Sequence, residues 1–383
     1  MRRTASRRAG ARGWWVWAGA WAGAVAALSW SAPADAQDGA ALYAAGCASC
    51  HGTDGTGADE SRIAFDDPLP DFSDCSFASR EPDADWIAVA HAGGPVRGFS
   101  ETMPAFGEAF DGAQLQAIID HIRTFCDDPA WPAGELNLPR ALITEKAYPE
   151  DEAVWTTTAN AESPGAVVNE ITYEKRFGPR SQIEVKVPFG FAEAPTGEPG
   201  TGGELDTDWG GGLGDISIGV KHAVWHDDQS IFSLATELVL PTGDVDRGLG
   251  ADAVRVEPFA AFGQALPADA YFQLQGGVEL STDTDAAEHE AFWRGVIGRT
   301  FTSGEFGRAW SPMIEILGST ALEDESGVNW DLVPQMQVTL NTRQHVMLNV
   351  GVRVPVTNTD ARTTEFLVYL LWDWFDGGLL DGW

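Results

Sequence analysis

From about residue 152 onward, apolar and polar side chains alternate one by one. The stretch QIEVKVPFGF (182–191) sets Ile183, Val185, Val187, Phe189 and Phe191 against Glu184, Lys186 and Gly190. LVPQMQVTLN (332–341) sets Leu332, Pro334, Met336, Val338 and Leu340 against Val333, Gln335, Gln337, Thr339 and Asn341. VMLNVGVRVPV (346–356) puts six aliphatics on one face and Met347, Asn349, Gly351, Arg353 and Pro355 on the other. Successive side chains of a strand point to opposite sides, so this period predicts strands with one apolar and one polar face, roughly twelve of them between 152 and 375. Nearer the start the period is helical. DGAQLQAIIDHIRTFC (111–126) carries Leu115, Ile118, Ile119, Ile122 and Phe125 on one face, which predicts an amphipathic helix. DGAALYAAGCASC (38–50) predicts a second helix, capped by Asp38, with Gly39 and Tyr43 on one side. One face is small and the other bulky, so the two helices can cross closely.

The connections between strands alternate in length. Short turns fall near 178–180, 226–230, 266–269, 302–306 and 341–343; longer links, rich in Gly, Asp and Glu, fall near 160–165, 194–212, 242–252, 282–287, 319–328 and 357–362. An even number of antiparallel strands with short turns at one end and long loops at the other is the pattern of an outer-membrane β-barrel. A soluble β-sandwich has the same alternation; the loop lengths favour the barrel. There the apolar faces turn outward to lipid. Trp225, Trp293, Trp310, Trp330, Trp372 and Trp374 stand at or near strand ends, where interfacial girdles belong. The lumen is expected to hold Glu184, Lys186, Lys221, Glu237, Arg255, Glu257, Glu279, Glu315 and Arg353 as solvated lining, without a catalytic motif. With twelve strands both barrel ends lie on the short-turn side, so the preceding helical region should hang at that mouth and not in the pore.

The first 36 residues read as an export signal: five arginines, an apolar stretch WWVWAGAWAGAVAALSW (14–30), then Ala34-Asp35-Ala36. Removing them moves the formal net charge from −33 to −37. A chain so acidic does not bind nucleic acid. No apolar run of 18 residues remains beyond the signal, which excludes a membrane-spanning helix there. Residues 127–150, with four prolines and no clean period, read as an irregular linker. The plan is therefore a signal peptide (1–36), a small all-α domain (37–128), a linker (129–151) and a roughly 12-stranded antiparallel barrel (152–383).

Cys47-Ala48-Ser49-Cys50-His51 (CASCH) lies at the end of the first helix. C-x-x-C-H is the attachment signature of a c-type haem: two thioether bonds from Cys47 and Cys50, and His51 as proximal iron ligand. The remaining cysteines, Cys75 and Cys126, make an even pair in an oxidising compartment and are expected to form a disulfide. Met103, on a loop stiffened by Pro104, is the leading candidate for the sixth ligand; His91 and His121 compete. Ligation by His51 and Met103 leaves iron no open position, which implies electron transfer by one covalent haem c.

With its Gly39/Tyr43 helix, CASCHG, the TMPAFG loop and the closing helix ending near Phe125, the region 37–128 resembles a class I monohaem cytochrome c. The resemblance implies that a backbone carbonyl near Pro68-Leu69-Pro70 accepts the ring N–H of His51. The domain order resembles the fused cytochrome–porins of iron-oxidising bacteria, with a shorter barrel and an ordinary haem region. It implies an electron-transfer haem protein at or across the outer membrane, with its cytochrome on the periplasmic side. The implied partners are a periplasmic electron-transfer protein, outer-membrane lipid and a small extracellular reductant or cation. Extracellular ferrous-iron oxidation is one open activity. The competing readings are a pore with a redox-sensing cytochrome, and a barrel serving only as anchor.

Overall fold

The computed structural model describes residues 38–373 apart from 60, 62–64, 66–67, 161, 163–164, 196–206 and 324–326. The expected signal (1–36) and Trp374 lie outside the described residues.

Among the described residues five α-helices build the first domain: α1 (Gly39–Gly46), α2 (Ala48–His51), α3 (Cys75–Ala78), α4 (Asp83–Ala92) and α5 (Gly112–Arg123). Asp38 caps α1 by accepting from Ala41 N. Asp111 and Gln114 form a capping box at the start of α5. A methyl group on Gly39 would run into Ala117 O, so α1 and α5 cross in near backbone contact. Beside the crossing, the Tyr43 ring meets those of His121 and Phe125, each at 5.3 Å. Leu115, Ile118, Ile119 and Ile122 bury the apolar face of α5 against Tyr43 and Phe72. A Cys75–Cys126 disulfide ties α3 to the end of this layer.

Among the described residues fourteen strands then form a single sheet. They are β1 (Glu152–Asn160), β2 (Ala166–Phe177), β3 (Ser181–Pro195), β4 (Thr207–Leu213), β5 (Ser217–His226), β6 (Ser230–Val239) and β7 (Arg255–Leu266). The rest are β8 (Ala270–Ser281), β9 (Glu290–Arg299), β10 (Phe301–Thr302), β11 (Ala309–Ala321), β12 (Asn329–Thr339), β13 (Val346–Pro355) and β14 (Glu365–Asp373). Twelve are staves of a closed antiparallel barrel, sealed where β1 pairs with β14 from Glu152↔Asp373 to Asn160↔Glu365. The expected long loop at 194–212 is in part a strand: β4 continues the β5 stave and pairs with the far half of β3. The stave breaks at 214–216, opposite Pro188 in β3, which has no N–H to give the ladder. β10 only lengthens the β9–β11 hairpin.

The alternation is inverted, as a lipid-facing wall requires. Along β5, Ser217, Gly219, Lys221 and Ala223 are buried inside while Ile218, Val220, His222 and Val224 are exposed. Ile297 is 62 % and Phe366 57 % exposed, whereas Glu174 and Glu315 are fully buried. Among the described residues no helix is long and apolar enough to cross a membrane, which says nothing of a β-barrel. Near their ends, Trp225 and Trp310 are exposed and Trp293 meets Trp330 edge-on at 5.5 Å.

The lumen corrects one expectation: it is not a solvated channel. Residues 136–150 of the linker fold into it as a loop and return to β1. Glu315 accepts from Leu142 N (2.9 Å), Ile143 N (3.2 Å), Thr144 N (2.9 Å) and Thr144 Oγ1 (2.7 Å). Arg140 bridges Glu152 and Glu174, and Lys186 lies 3.0 Å from each of Glu145, Glu184 and Glu237. Lys221 donates to Lys146 O. These wall charges are paired because an isolated charge facing a folded segment and not water would be costly.

The helical domain docks on the short-turn end. Arg97, on the turn after α4, donates to Asp85 Oδ1 (2.6 Å) and to Phe306 O in the β10–β11 turn (2.7 Å). The Arg343 guanidinium lies over Phe99 at 4.7 Å. His345, in the β12–β13 turn, lies 3.0 Å from Glu81 and 3.5 Å from Asp373.

Replacing Cys75 and Cys126 by serine opens a 51-residue loop and should lower the unfolding free energy of the helical domain by about 4 kcal/mol. Guanidinium unfolding, followed by visible absorbance, measures it; an unchanged midpoint contradicts the cross-link.

Candidate haem-binding site

The site is assembled where α1 stops. Cys47 N–H still bonds back to Tyr43 O, and α2 begins at once, carrying Ala48 to His51. Gly52 ends it with φ +76°, a conformation that favours glycine. The turn is then locked: Gly57 N donates to His51 O, Ala58 N to Cys50 O, and the Tyr43 hydroxyl to Gly52 O at 2.8 Å. Burial pushes the Tyr43 phenol up to about 12, so it remains a donor. Cys47 and Cys50 are both free thiols, half-buried, on this short turn. Their spacing places the two sulfurs one turn apart, with His51 next along the same turn.

The His51 ring is held on an aromatic wall that the sequence reading did not identify. Its centroid lies 5.1 Å from that of Phe72, which lies 5.2 Å from Trp86, and Phe77 stacks on Trp86 at 6.0 Å. The Arg123 guanidinium covers Trp86 at 4.0 Å and bonds Asp83 at 2.8 Å, fixing the wall to both α4 and α5. These aromatics sit in a stretch without a regular period, so only their number near CASCH could have signalled them. Burial pushes the His51 imidazole down to about 4, so the ring is neutral and has a lone pair to give a metal. Its Nδ1 is buried and has no hydrogen-bond partner among the described residues; the carbonyl expected near Pro68–Pro70 is not engaged.

The three candidates for the opposite ligand have different surroundings. His91 is turned to the barrel: its ring lies 5.0 Å from Phe306 and its Nε2 3.8 Å from Glu305. His121 is packed edge-on against Tyr43 and Phe125. Met103 is half-buried on a loop fixed by Gly94 N donating to Met103 O (3.0 Å) and Met103 N to Ser100 O (3.3 Å). Gly93 makes that loop possible. Its φ is +83°, and a methyl group there would lie 3.0 Å from Met103 O. Phe106 and Phe110, beyond the loop, join the apolar cluster that also takes in Cys47 and Ala48.

An apolar cradle, two free half-buried thiols one turn apart and a half-buried, neutral imidazole with a buried, orphaned nitrogen fit haem c. Cys47 and Cys50 would hold its edge and His51 its iron, and a thioether such as that of Met103 would be a soft second donor.

Two families of known proteins match separate parts of the chain. The family described as cytochrome C oxidase, cbb3-type, subunit III matches residues 34–122, which include CASCH and Met103. The family described as putative MetA-pathway of phenol degradation matches residues 150–360, more than half of the chain. The chain belongs to that family. Its N-terminal part is a cytochrome c domain, which implies haem c, and the remainder is the closed antiparallel barrel. Among solved structures, the KdgM porin is 9 % identical over 58 % of this chain and 98 % of its own, with a TM-score of 0.39. The COG4313 outer membrane channel from Pseudomonas putida F1 is 11 % identical over 58 % and 94 %, with a TM-score of 0.40. The NanC porin is 8 % identical over 58 % and 98 %, with a TM-score of 0.39. No curated protein matches the chain.

Met103→Ala should abolish the weak sulfur-to-iron absorption band of the oxidised protein and lower its reduction potential. A spectroelectrochemical titration checks both; an unchanged band removes Met103 as ligand, while His91→Ala should leave the band in place.

Proposed function

We propose that this chain is a single-haem electron carrier anchored in the outer membrane, with its cytochrome domain on the periplasmic face. The observation that carries the reading is the CASCH turn, which presents a neutral, half-buried His51 beside two free half-buried cysteines. Haem bound there supplies one-electron exchange at iron. The protein's own contribution is to fix the ligands and exclude water: Phe72 and Trp86 wall the imidazole, and Tyr43 locks the turn behind it. A methionine thioether from Met103 would favour ferrous iron and raise the potential.

Three features support the side and the kind of partner. Short turns of outer-membrane barrels face the periplasm, and the helical domain docks on the short turns. The lumen holds residues 136–150, so a reductant outside the cell has no open way through the barrel to His51. The apolar band of such a barrel is about 25 Å tall, too far for one haem beneath it to bridge unaided. The electron donor and acceptor therefore meet the cytochrome domain from the periplasm, and the strongly acidic chain suits partners with a basic docking face. The barrel acts as anchor, and no ferrous-iron oxidation at the cell surface is assigned to it.

The test is a redox titration of the haem absorbance. In intact cells an impermeant reductant or ferrous iron should leave the haem oxidised, whereas after the outer membrane is opened the same reductant, or a reduced basic periplasmic cytochrome, should reduce it. Rapid reduction by ferrous iron in intact cells contradicts the periplasmic reading.

A further inference from the structure

We propose that residues 136–150 are a tethered plug, and that the barrel becomes an ion-conducting pore for small hydrophilic solutes when the helical domain lifts and draws the segment out. The inference concerns the barrel and goes beyond the electron-carrier reading.

Three observations carry it. First, the segment closes the cross-section. It bonds to staves all round the wall, among them Glu174 of β2, Lys221 of β5, Gln275 of β8, Glu315 of β11, Gln335 of β12 and Tyr369 of β14. Second, it is not part of the wall. Every stave has its strand neighbours on both sides without it, so removing it leaves the ladder whole. The groups it would uncover are charged and polar, and water can take over their hydrogen bonds. Glu315 is the extreme case. It is fully buried, and the donors to its carboxylate are three backbone N–H groups and one hydroxyl of the segment, with Gln335 of the neighbouring stave. That carboxylate is a latch: satisfied by the plug when shut, by water when open.

Third, the segment is tied to the helical domain at both ends. Just before it, Glu135 accepts from Asp83 N at the start of α4 (2.7 Å). Near its end, the Tyr148 hydroxyl donates to Ser79 O (3.0 Å). A domain that leaves the turns therefore pulls on the loop. The docking face is not close-packed either: a cavity of about 160 Å³ remains beside Glu81 and His345, reaching Arg140 and Asp373. Leu138 and Tyr148, packed on apolar wall residues, hold the plug in at rest.

Planar-bilayer recording of the purified full-length holoprotein in potassium chloride tests this. The wild type should be almost silent. Replacing residues 138–146 by a Gly/Ser segment of equal length should give steady conducting steps. Glu315→Gln sets an amide donor against the donors of the loop, and His345→Ala removes a docking contact. Each should raise the frequency of openings by about tenfold or more, equivalent to about 1.4 kcal/mol. Heat-modifiable migration on gels verifies a folded barrel in every variant, and the haem spectrum reports the cytochrome separately. Loss of the spectrum with gating intact would sink the electron-carrier reading alone. A wild type that conducts like the Gly/Ser variant, or a folded Gly/Ser variant that stays silent, overturns the plug. Conduction by the Gly/Ser variant with both point variants silent overturns the coupling to the domain.

Discussion

Hydrocarbon offers no partner to a peptide group, and that constraint organises the larger part of this chain. Twelve staves can sit in lipid only because the register from Glu152↔Asp373 to Asn160↔Glu365 closes the sheet and leaves no edge. Closure forces the inverted alternation: Ile297, Phe366 and their like must face outward, so Glu174, Lys186 and Glu315 must face inward. A tube lined with such groups has to be filled by water or by polar protein. Here residues 136–150 fill it, and the charges pair across the interface between loop and wall.

The same loop explains how an α-helical domain is held to a barrel. Chain economy alone would leave the two joined by a strand of coil. Instead Glu135 caps α4, Tyr148 reaches Ser79, and the intervening residues are gripped inside the wall. Arg97 and Arg343 add contacts on the short turns. Arg97 belongs to the segment that leads into the Met103 loop, so the docking face and one wall of the candidate haem site are built from the same stretch of chain. The cradle itself is small. It relies on a near-backbone crossing of α1 and α5 at Gly39 and on one aromatic wall, with the disulfide closing the far side.

Much of this is legible in the sequence because its causes are local. Period-two alternation and loop lengths specify the staves, the Asp111/Gln114 box specifies the start of α5, and CASCH is a contiguous chemical signature. What is not legible depends on distant partners. The linker carries Arg140, Glu145, Lys146 and Glu150 among Leu138, Leu142 and Ile143, a mixture that reads as irregular coil until Glu315 and Lys221 are brought round it. Glu184, Lys186, Lys221, Glu237 and Glu315 look solvated for the same reason. His91 and His121 look like ligands by residue type, and only the fold sets Phe306 beside one and Tyr43 beside the other. Phe72 and Trp86 lie in segments with no period to betray them.

The account stands or falls on haem being covalently carried by a chain that resides in the outer membrane. Intact-mass spectrometry of the protein extracted by detergent from outer membranes measures both at once. The account predicts the mass of the polypeptide plus one haem, lost when Cys47 and Cys50 are replaced by serine. A polypeptide of unmodified mass, or recovery of the wild-type protein only from the soluble fraction, would contradict it.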